Sequence, residues 1–411
     1  MTAERDDGGR DWSRRGVMAG LIGAPVLLVA ACEDGGSGGG GGAAAGGAGG
    51  APGTSVVRIT VSPADGTANA PFDTPVTVGA ADGTLTSVRV TDSAGHPVAG
   101  RLAPDARSWT STDPLTSATR YTVAVLAVDR NKQQAAANTA FTTVAPAHSF
   151  VGYFTPEHGA TVGVGMPVSI TFNTPITDRK AVEQAITVRA VPDVEVVGYW
   201  YSSTRLDFRP EQYWAPGSRV TLRLRLKDVE GAPGCFGIQE KDVAFTVGRS
   251  QTSLADLQAG TLTVTTDGKV SAVYKVIGGA PDHRTWAGRM VISEQYQQTK
   301  MDSTTVGLGN EYAIPDVPHA QRLTTSGTFV HGNYWSPAAA FGTADTSHGC
   351  VALRDVKGAG DPTTDAARFF ASSVIGDVVE VVNSGERTVD PANGLSDWNI
   401  PWPTWQAGSA L

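Results

Sequence analysis

The chain has 411 residues, 41% hydrophobic and 18% charged, with a formal net charge of −8. That length suffices for two to four packed domains, and the acidic balance argues against a nucleic-acid-binding protein, which would carry basic patches.

The N-terminal stretch DWSRRGVMAGLIGAPVLLVAAC places the pair Arg14-Arg15 before an apolar run from Val17 to Ala31. The run is shorter than the ~20 residues of a membrane-spanning helix. It reads as the core of a signal peptide, and the arginine pair also permits a twin-arginine export route. Small residues directly before Cys32 resemble a bacterial lipoprotein cleavage site. Residues 1–32 would then be a lipoprotein signal, with Cys32 lipidated and anchoring the chain to the cell membrane from outside the cytoplasm. The alternative is an ordinary secretory signal. Residues 33–54, almost all Gly and Ala, cannot bury a core and form a flexible tether.

Alternating strands follow, separated by Gly, Pro, Asn and Asp clusters, in the pattern of β-sandwiches. The pattern occurs twice. SPADG at Ser62 matches TPEHG at Thr155, TPVTV at Thr74 matches MPVSI at Met166, and FTT at Phe141 matches FTV at Phe245. The offset is that of one immunoglobulin-sized sandwich, which places two such domains in tandem at 55–146 and 147–249. His96, His148 and His158 fall in loop-like sequence and read as solvated. Cys235 lacks an obvious partner and reads as a buried or half-buried free thiol. Asp228, Glu230, Glu240 and Asp242 near it read as a solvated acidic loop rather than a cation site.

A third, β-rich domain spans 250–384. TLTVTTDGKVSAVYKV is a hairpin turning at Asp267-Gly268. RMVISEQY reads as a single strand, and TSGTFVHG places His331 at a strand end. DPTTDAARFFASSV predicts a short helix capped by Thr363 or Thr364, with Ala367, Phe370 and Ala371 on one face. GDVVEVVN returns as a strand. The tail 385–411, with three tryptophans in NGLSDWNIPWPTWQAG, is too apolar to float free and should pack back on a domain. The fold class is therefore mainly β: two tandem immunoglobulin-like sandwiches, then a β-rich domain with one short helix.

The chemistry converges on Cys350. A thiol becomes a nucleophile as its thiolate, from a free pKa near ~8.5, and needs a base or positive neighbour. His331, upstream near a predicted strand, is such a distant partner. His348 would share a face with Cys350 only if the segment were extended. Gly349 permits a sharp turn whose amides can converge on an oxyanion. Asp345 is the nearest acid, but a backbone carbonyl such as that of Gly332 can orient the His331 Nδ1–H equally well. Two alternatives stay open on these residues alone: a zinc site of His331, His348 and Cys350, and a merely buried thiol.

The run HGNYWSPAAAFGTADTSHGCVALR resembles the L,D-transpeptidase family with its YkuD-type catalytic domain: a His, a gap, then Ser/Thr-His-Gly-Cys. KMDSTTVGLG, LTTSGTFVHG, GDVVEVVN and GLSDWNIPW extend the resemblance to an actinobacterial lipoprotein branch with two immunoglobulin-like domains. The resemblance implies Cys350 as nucleophile and His331 as general base and acid, oriented by the Gly332 carbonyl. It implies His348, Gly349 and Cys350 as the oxyanion-holding turn, and Tyr312, Ser326, Gly327 and Trp335 as lining the donor-peptide pocket. It implies no metal and no cofactor. The implied partners are peptidoglycan stem peptides, a donor tetrapeptide and an acceptor side-chain amine joined in a 3→3 cross-link, with carbapenem-type β-lactams as inhibitors. The same acyl-enzyme resolved by water would be an L,D-carboxypeptidase, and a decayed site would leave a wall-binding module. Two departures stand out. Gly332 replaces a serine that many relatives carry, and Ala352 stands where relatives often have Asn or Arg, which would remove a hydrogen bond from the pocket.

Overall fold

The computed structural model describes residues 54–307 and 309–411. The signal sequence, Cys32 and residues 33–53 of the tether lie outside the described residues.

Period-two patterning builds the sandwiches. In Arg120–Val128 exposed and buried residues alternate along the strand, as a sheet with one wet face requires. That strand runs between Thr84–Asp92 and Gln134–Thr142. The opposing sheet orders Arg58–Ser62, Thr77–Ala81, Ser108–Ser111 and Gly100–Leu102. Trp109, Tyr121, Phe141 and a set of valines fill the space between them. In the second sandwich Thr161–Val162, Glu240–Val247, Arg219–Arg225 and Ile186–Val191 form one sheet. Val197–Trp200, Arg205–Arg209, Val168–Phe172 and Gly152–Thr155 form the other. The tandem, mainly β architecture is the one the sequence predicts.

The linker segment His148–Phe150 pairs in parallel with Cys235–Gly237, where Cys235 is a buried free thiol. The nearby acids hold protein partners. Asp228 accepts from the Ser117 amide, Glu230 from the Gly234 amide, and Asp242 pairs with Arg225 at 2.7 Å.

The third domain is one long sheet. Its strand order is Gly288–Val291, Val378–Val382, Gln251–Asp256, Thr261–Thr266, Lys269–Gly279, Val351–Arg354, Phe329–Asn333, Ala313–Arg322 and Glu294–Asp302, with Asp345–Ser347 beside Lys269–Gly279. The Asp267-Gly268 turn has φ of 48° and 77°, the left-handed pair that a two-residue hairpin needs.

Three sequence expectations need correction. RMVISEQY is not one strand: it breaks at Ile292-Ser293, and its halves lie at opposite ends of the sheet order. The helix is Asp365–Ser372, capped by Thr364, and buries Ala366, Ala367 and Phe369, whereas Phe370 is half-buried and Ala371 exposed. His331 is the middle residue of Phe329–Asn333 rather than at a strand end.

The tail packs on the second sandwich. The Trp398 indole donates to the Gly165 carbonyl at 2.7 Å and Trp405 to the Val197 carbonyl at 2.9 Å. The Arg209 guanidinium lies over the rings of Trp398, Trp402 and Trp405. The second sandwich also abuts the third domain closely: a Cβ on Gly163 would stand 2.3 Å from the Asp377 amide nitrogen. Val291, Val378, Leu395 and Trp398 continue the second sandwich's core, so the two domains share one apolar interior.

Candidate functional site

Two neighbouring strands set the site. Phe329–Asn333 and Val351–Arg354 run parallel, with Val330 opposite Val351 and His331 opposite Ala352. Cys350 immediately precedes the second strand. Both side chains open onto one cavity of about 350 Å³, also lined by Tyr312, Ile314, Trp335 and His348.

Cys350 is 6% exposed. Burial pushes its thiol up to about 11, against the Phe329 backbone and the Arg322 charge, which pull it down. The thiol donates to the Gly327 carbonyl at 3.6 Å. The preceding Gly349 sits at φ +99°, a backbone conformation that strains any residue with a Cβ. His348 and Cys350 therefore do not share an extended face. The Ser347 hydroxyl donates to the Cys350 carbonyl at 2.6 Å and closes the turn.

His331 is also buried, and burial lowers its pKa, opposed by the Gly332 hydrogen bond and the Asp355 charge. Its Nδ1 lies 2.8 Å from the Gly332 carbonyl oxygen. A carbonyl only accepts, so Nδ1 carries the proton and Nε2 keeps its lone pair. The Trp335 indole stacks on the ring at 5.8 Å, with planes 22° apart. Asn333 holds the backbone turn that carries Trp335 by accepting from the Trp335 and Ser336 amides. Trp335 is 44% exposed at the cavity wall, not a core tryptophan.

Behind Gly332 is a buried pair that the sequence did not signal. His319 Nδ1 lies 2.7 Å from Asp355 Oδ2, and His319 Nε2 lies 3.0 Å from the Gln297 amide nitrogen. An amide nitrogen only donates, so His319 donates from Nδ1 to Asp355. The carboxylate occupies the space a side chain on residue 332 would fill.

The remaining predicted pocket residues divide. Tyr312 lines the cavity, its phenol pushed up to about 12 by burial and by the nearby Cys350 and Glu311 charges. Gly327 meets the thiol through its carbonyl. Ser326 is not on the cavity wall: its hydroxyl accepts from Asn393 Nδ2 at 2.8 Å, and its amide donates to Asn393 Oδ1 at 3.0 Å. Ala352 is fully buried with Ile277 and Phe341 and does not line the cavity, so its small size does not open the pocket. Asp345 accepts from the Gly278 amide.

The three donors His331, His348 and Cys350 do not converge as a metal set. Among the described residues the converging set is His283, Glu311 and His348. A larger cavity of about 550 Å³ between the second sandwich and the third domain, walled by Arg209, Tyr213, Trp398 and Trp402, is lined by no cysteine and no histidine.

The chain is similar to known proteins over both its sandwich and its third-domain regions. Residues 250–381 match the L,D-transpeptidase catalytic domain, and residues 67–230 match a bacterial Ig domain. L,D-transpeptidase 2 of Mycobacterium tuberculosis (strain CDC 1551 / Oshkosh) is 36% identical over 359 residues, covering 86% of this chain and 85% of the relative. L,D-transpeptidase 5 of M. tuberculosis (strain H37Rv) is 32% identical over 361 residues, covering 86% and 77%. Among solved structures, LD transpeptidase LdtMt1 in complex with imipenem aligns with a TM-score of 0.48 at 31% identity, over 58% of this chain and all of that one.

Proposed function

Because this chain belongs to the L,D-transpeptidase family, and is a peptidoglycan L,D-transpeptidase, we propose that Cys350 is its nucleophile and His331 its general base. The observation that carries the assignment is the Nδ1–H donated to the Gly332 carbonyl, which leaves the basic Nε2 of a buried, neutral imidazole on the cavity that Cys350 shares. With both groups neutral, the reaction begins with proton transfer rather than a resting ion pair.

In this mechanism Sγ attacks the carbonyl carbon of the third residue of a donor stem, and its proton passes to His331 Nε2. Negative charge develops on the former carbonyl oxygen. The turn His348–Gly349–Cys350, with its left-handed glycine, faces it with backbone amides. The tetrahedral species collapses to a thioester at Cys350, and His331 returns the proton to the departing amine of the terminal D-Ala. A side-chain amine of a second stem then attacks the thioester, His331 takes up its proton, and the thiol is restored as the 3→3 cross-link leaves. Tyr312, Trp335 and the Gly327 carbonyl line or border the donor's path, and no step calls for a metal or cofactor. A carbapenem offers a strained carbonyl to the same sulfur.

Location completes the reading. Cys32 is lipidated, holding the protein on the outer side of the cell membrane, and the tether and sandwiches carry the catalytic domain into the wall. Palmitate labelling of the wild type and of Cys32→Ala tests this, label on the variant refuting it.

The decisive experiment for the chemistry incubates the protein with a tetrapeptide stem. Cross-linked dimer supports transfer, and tripeptide alone would make the enzyme a carboxypeptidase. Intact mass after carbapenem treatment should show one adduct on wild type and none on Cys350→Ala. Equal adducts on both would refute the nucleophile.

A further inference from the structure

We propose that His283, Glu311 and His348 form a site for one Zn²⁺-class cation at the mouth of the active-site cavity, and that an ion bound there inhibits acyl transfer. The three residues come from separate segments. His283 lies in the turn after Lys269–Gly279, Glu311 follows the short helical turn Ser303–Val306, and His348 belongs to the nucleophile turn. One donor atom from each lies within 4.8 Å of the other two. Nε2 of His283 is 3.1 Å and Nε2 of His348 is 3.5 Å from the same Glu311 Oε2. Zinc binds such ligands at ~2.0–2.2 Å, which in a tetrahedral centre separates donors by roughly 3.3–3.5 Å. Two of the three edges are already near that length, and the third is no longer than 4.8 Å.

Donor chemistry selects the ion class. Two imidazoles and one carboxylate suit Zn²⁺, with Cu²⁺ and Ni²⁺ as competitors, whereas Mg²⁺ and Ca²⁺ prefer oxygen alone. The site is open to arriving ions: the three side chains are 23%, 40% and 38% exposed. Asp282 Oδ2, 3.9 Å from His283 Nε2, adds negative charge at its edge. The supporting loops are stitched together. The His283 amide donates to the Ala280 carbonyl at 2.9 Å, and the Ala280 amide to the Ser347 carbonyl at 2.8 Å.

Inhibition follows from where the ion sits. His348 lines the cavity, is two residues from Cys350, and lies with its ring 4.9 Å from that of Tyr312. Bridging it to His283 and Glu311 ties the nucleophile turn to the cavity mouth and sets a cation across the donor's approach. Binding itself does not depend on Cys350 being a nucleophile.

The test uses the full chain carrying Cys350→Ala, so that the thiol supplies no ligand, titrated calorimetrically with zinc chloride. One ion should bind per chain, and adding His283→Ala or Glu311→Gln should weaken binding at least tenfold. No binding, or unchanged binding in both variants, overturns the site. On the otherwise wild-type chain, zinc should slow carbapenem acylation, and His283→Ala should raise the half-inhibiting concentration at least tenfold while leaving the metal-free rate unchanged. Zinc that binds as expected but leaves acylation untouched overturns the inhibitory role. A chain that binds zinc but is never acylated overturns the catalytic reading instead.

Discussion

Gly332→Ala tests whether the base is held by space rather than by backbone freedom. Gly332 lies within the strand Phe329–Asn333, and the obstacle to a side chain there is steric. A Cβ would stand 2.1 Å from Asp355 Oδ2 and 2.7 Å from its Cβ and Cγ, against an ordinary contact of 3.4–4 Å. Something must move by on the order of 1 Å. Asp355 is pinned by His319 at 2.7 Å, Thr364 at 2.9 Å and the Val356 amide at 2.8 Å. If the carboxylate yields, its buried hydrogen bond from the neutral His319 breaks, at about 1.5–3 kcal/mol. If the strand yields, overpacking costs about 1–3 kcal/mol and carries the Gly332 carbonyl away from His331. The expected cost is roughly 1–3 kcal/mol, read as a fall in melting temperature, together with slower carbapenem acylation. In an Asp355→Ala background the added methyl should cost much less, giving a coupling well above ~0.5 kcal/mol in the double-mutant cycle. Calorimetry and acylation-rate mass spectrometry read both effects. A Gly332→Ala protein that melts with the wild type and acylates at its rate would refute the reasoning.

Burial acts on the two reacting groups in opposite directions on the pH axis. It lowers His331, so the imidazole stays neutral to below its ordinary ~6.5, and the acylation rate should hold at neutral pH and fall only on the acid side of that value. It raises Cys350 to about 11, so iodoacetamide alkylation of the free enzyme should keep climbing towards that pH rather than level off near ~8.5. The linked stability is complete below pH ~8.5, where the thiol is protonated in both folded and unfolded chains, and is lost as pH rises towards 11. Chemical denaturation across that window should therefore show falling stability, absent in Cys350→Ala. Ala352→Asn should destabilise by about 2–4 kcal/mol and not speed acylation, because it forces an amide into the cluster of Ile277 and Phe341. Thermal melts of the two proteins check it, and equal midpoints would show that the amide finds room.

How far the sequence could be read follows from how local each signal is. Alternation in Arg120–Val128 and the Asp267-Gly268 turn are local, and both fold as their patterns predict. The tandem sandwiches were legible because the same local patterns recur. RMVISEQY misled because its apolar run does not reveal that the chain leaves the sheet at Ile292-Ser293 and rejoins at the far edge. The helix face is not legible in the pattern alone, because register depends on the packing partner, and Phe369 rather than Phe370 meets the core.

At the site, Cys350 and His331 were legible as a motif, but their surroundings were not. Ser326 turns to Asn393, 67 residues on. Asp355 packs against Gly332, whose carbonyl holds the base, only because residue 332 has no side chain, a relation no spacing encodes. His283, His319 and Glu311 carried no sequence signal at all. Each acquires a role only where separate loops or strands bring it against a residue of the motif: His283 and Glu311 at His348, and His319, through Asp355, at Gly332. The motif thus identifies the reaction, while residues outside it govern the position of the base and the mouth of the cavity. Substitutions at Asp355 and Glu311 should therefore change how this enzyme works without changing what it makes.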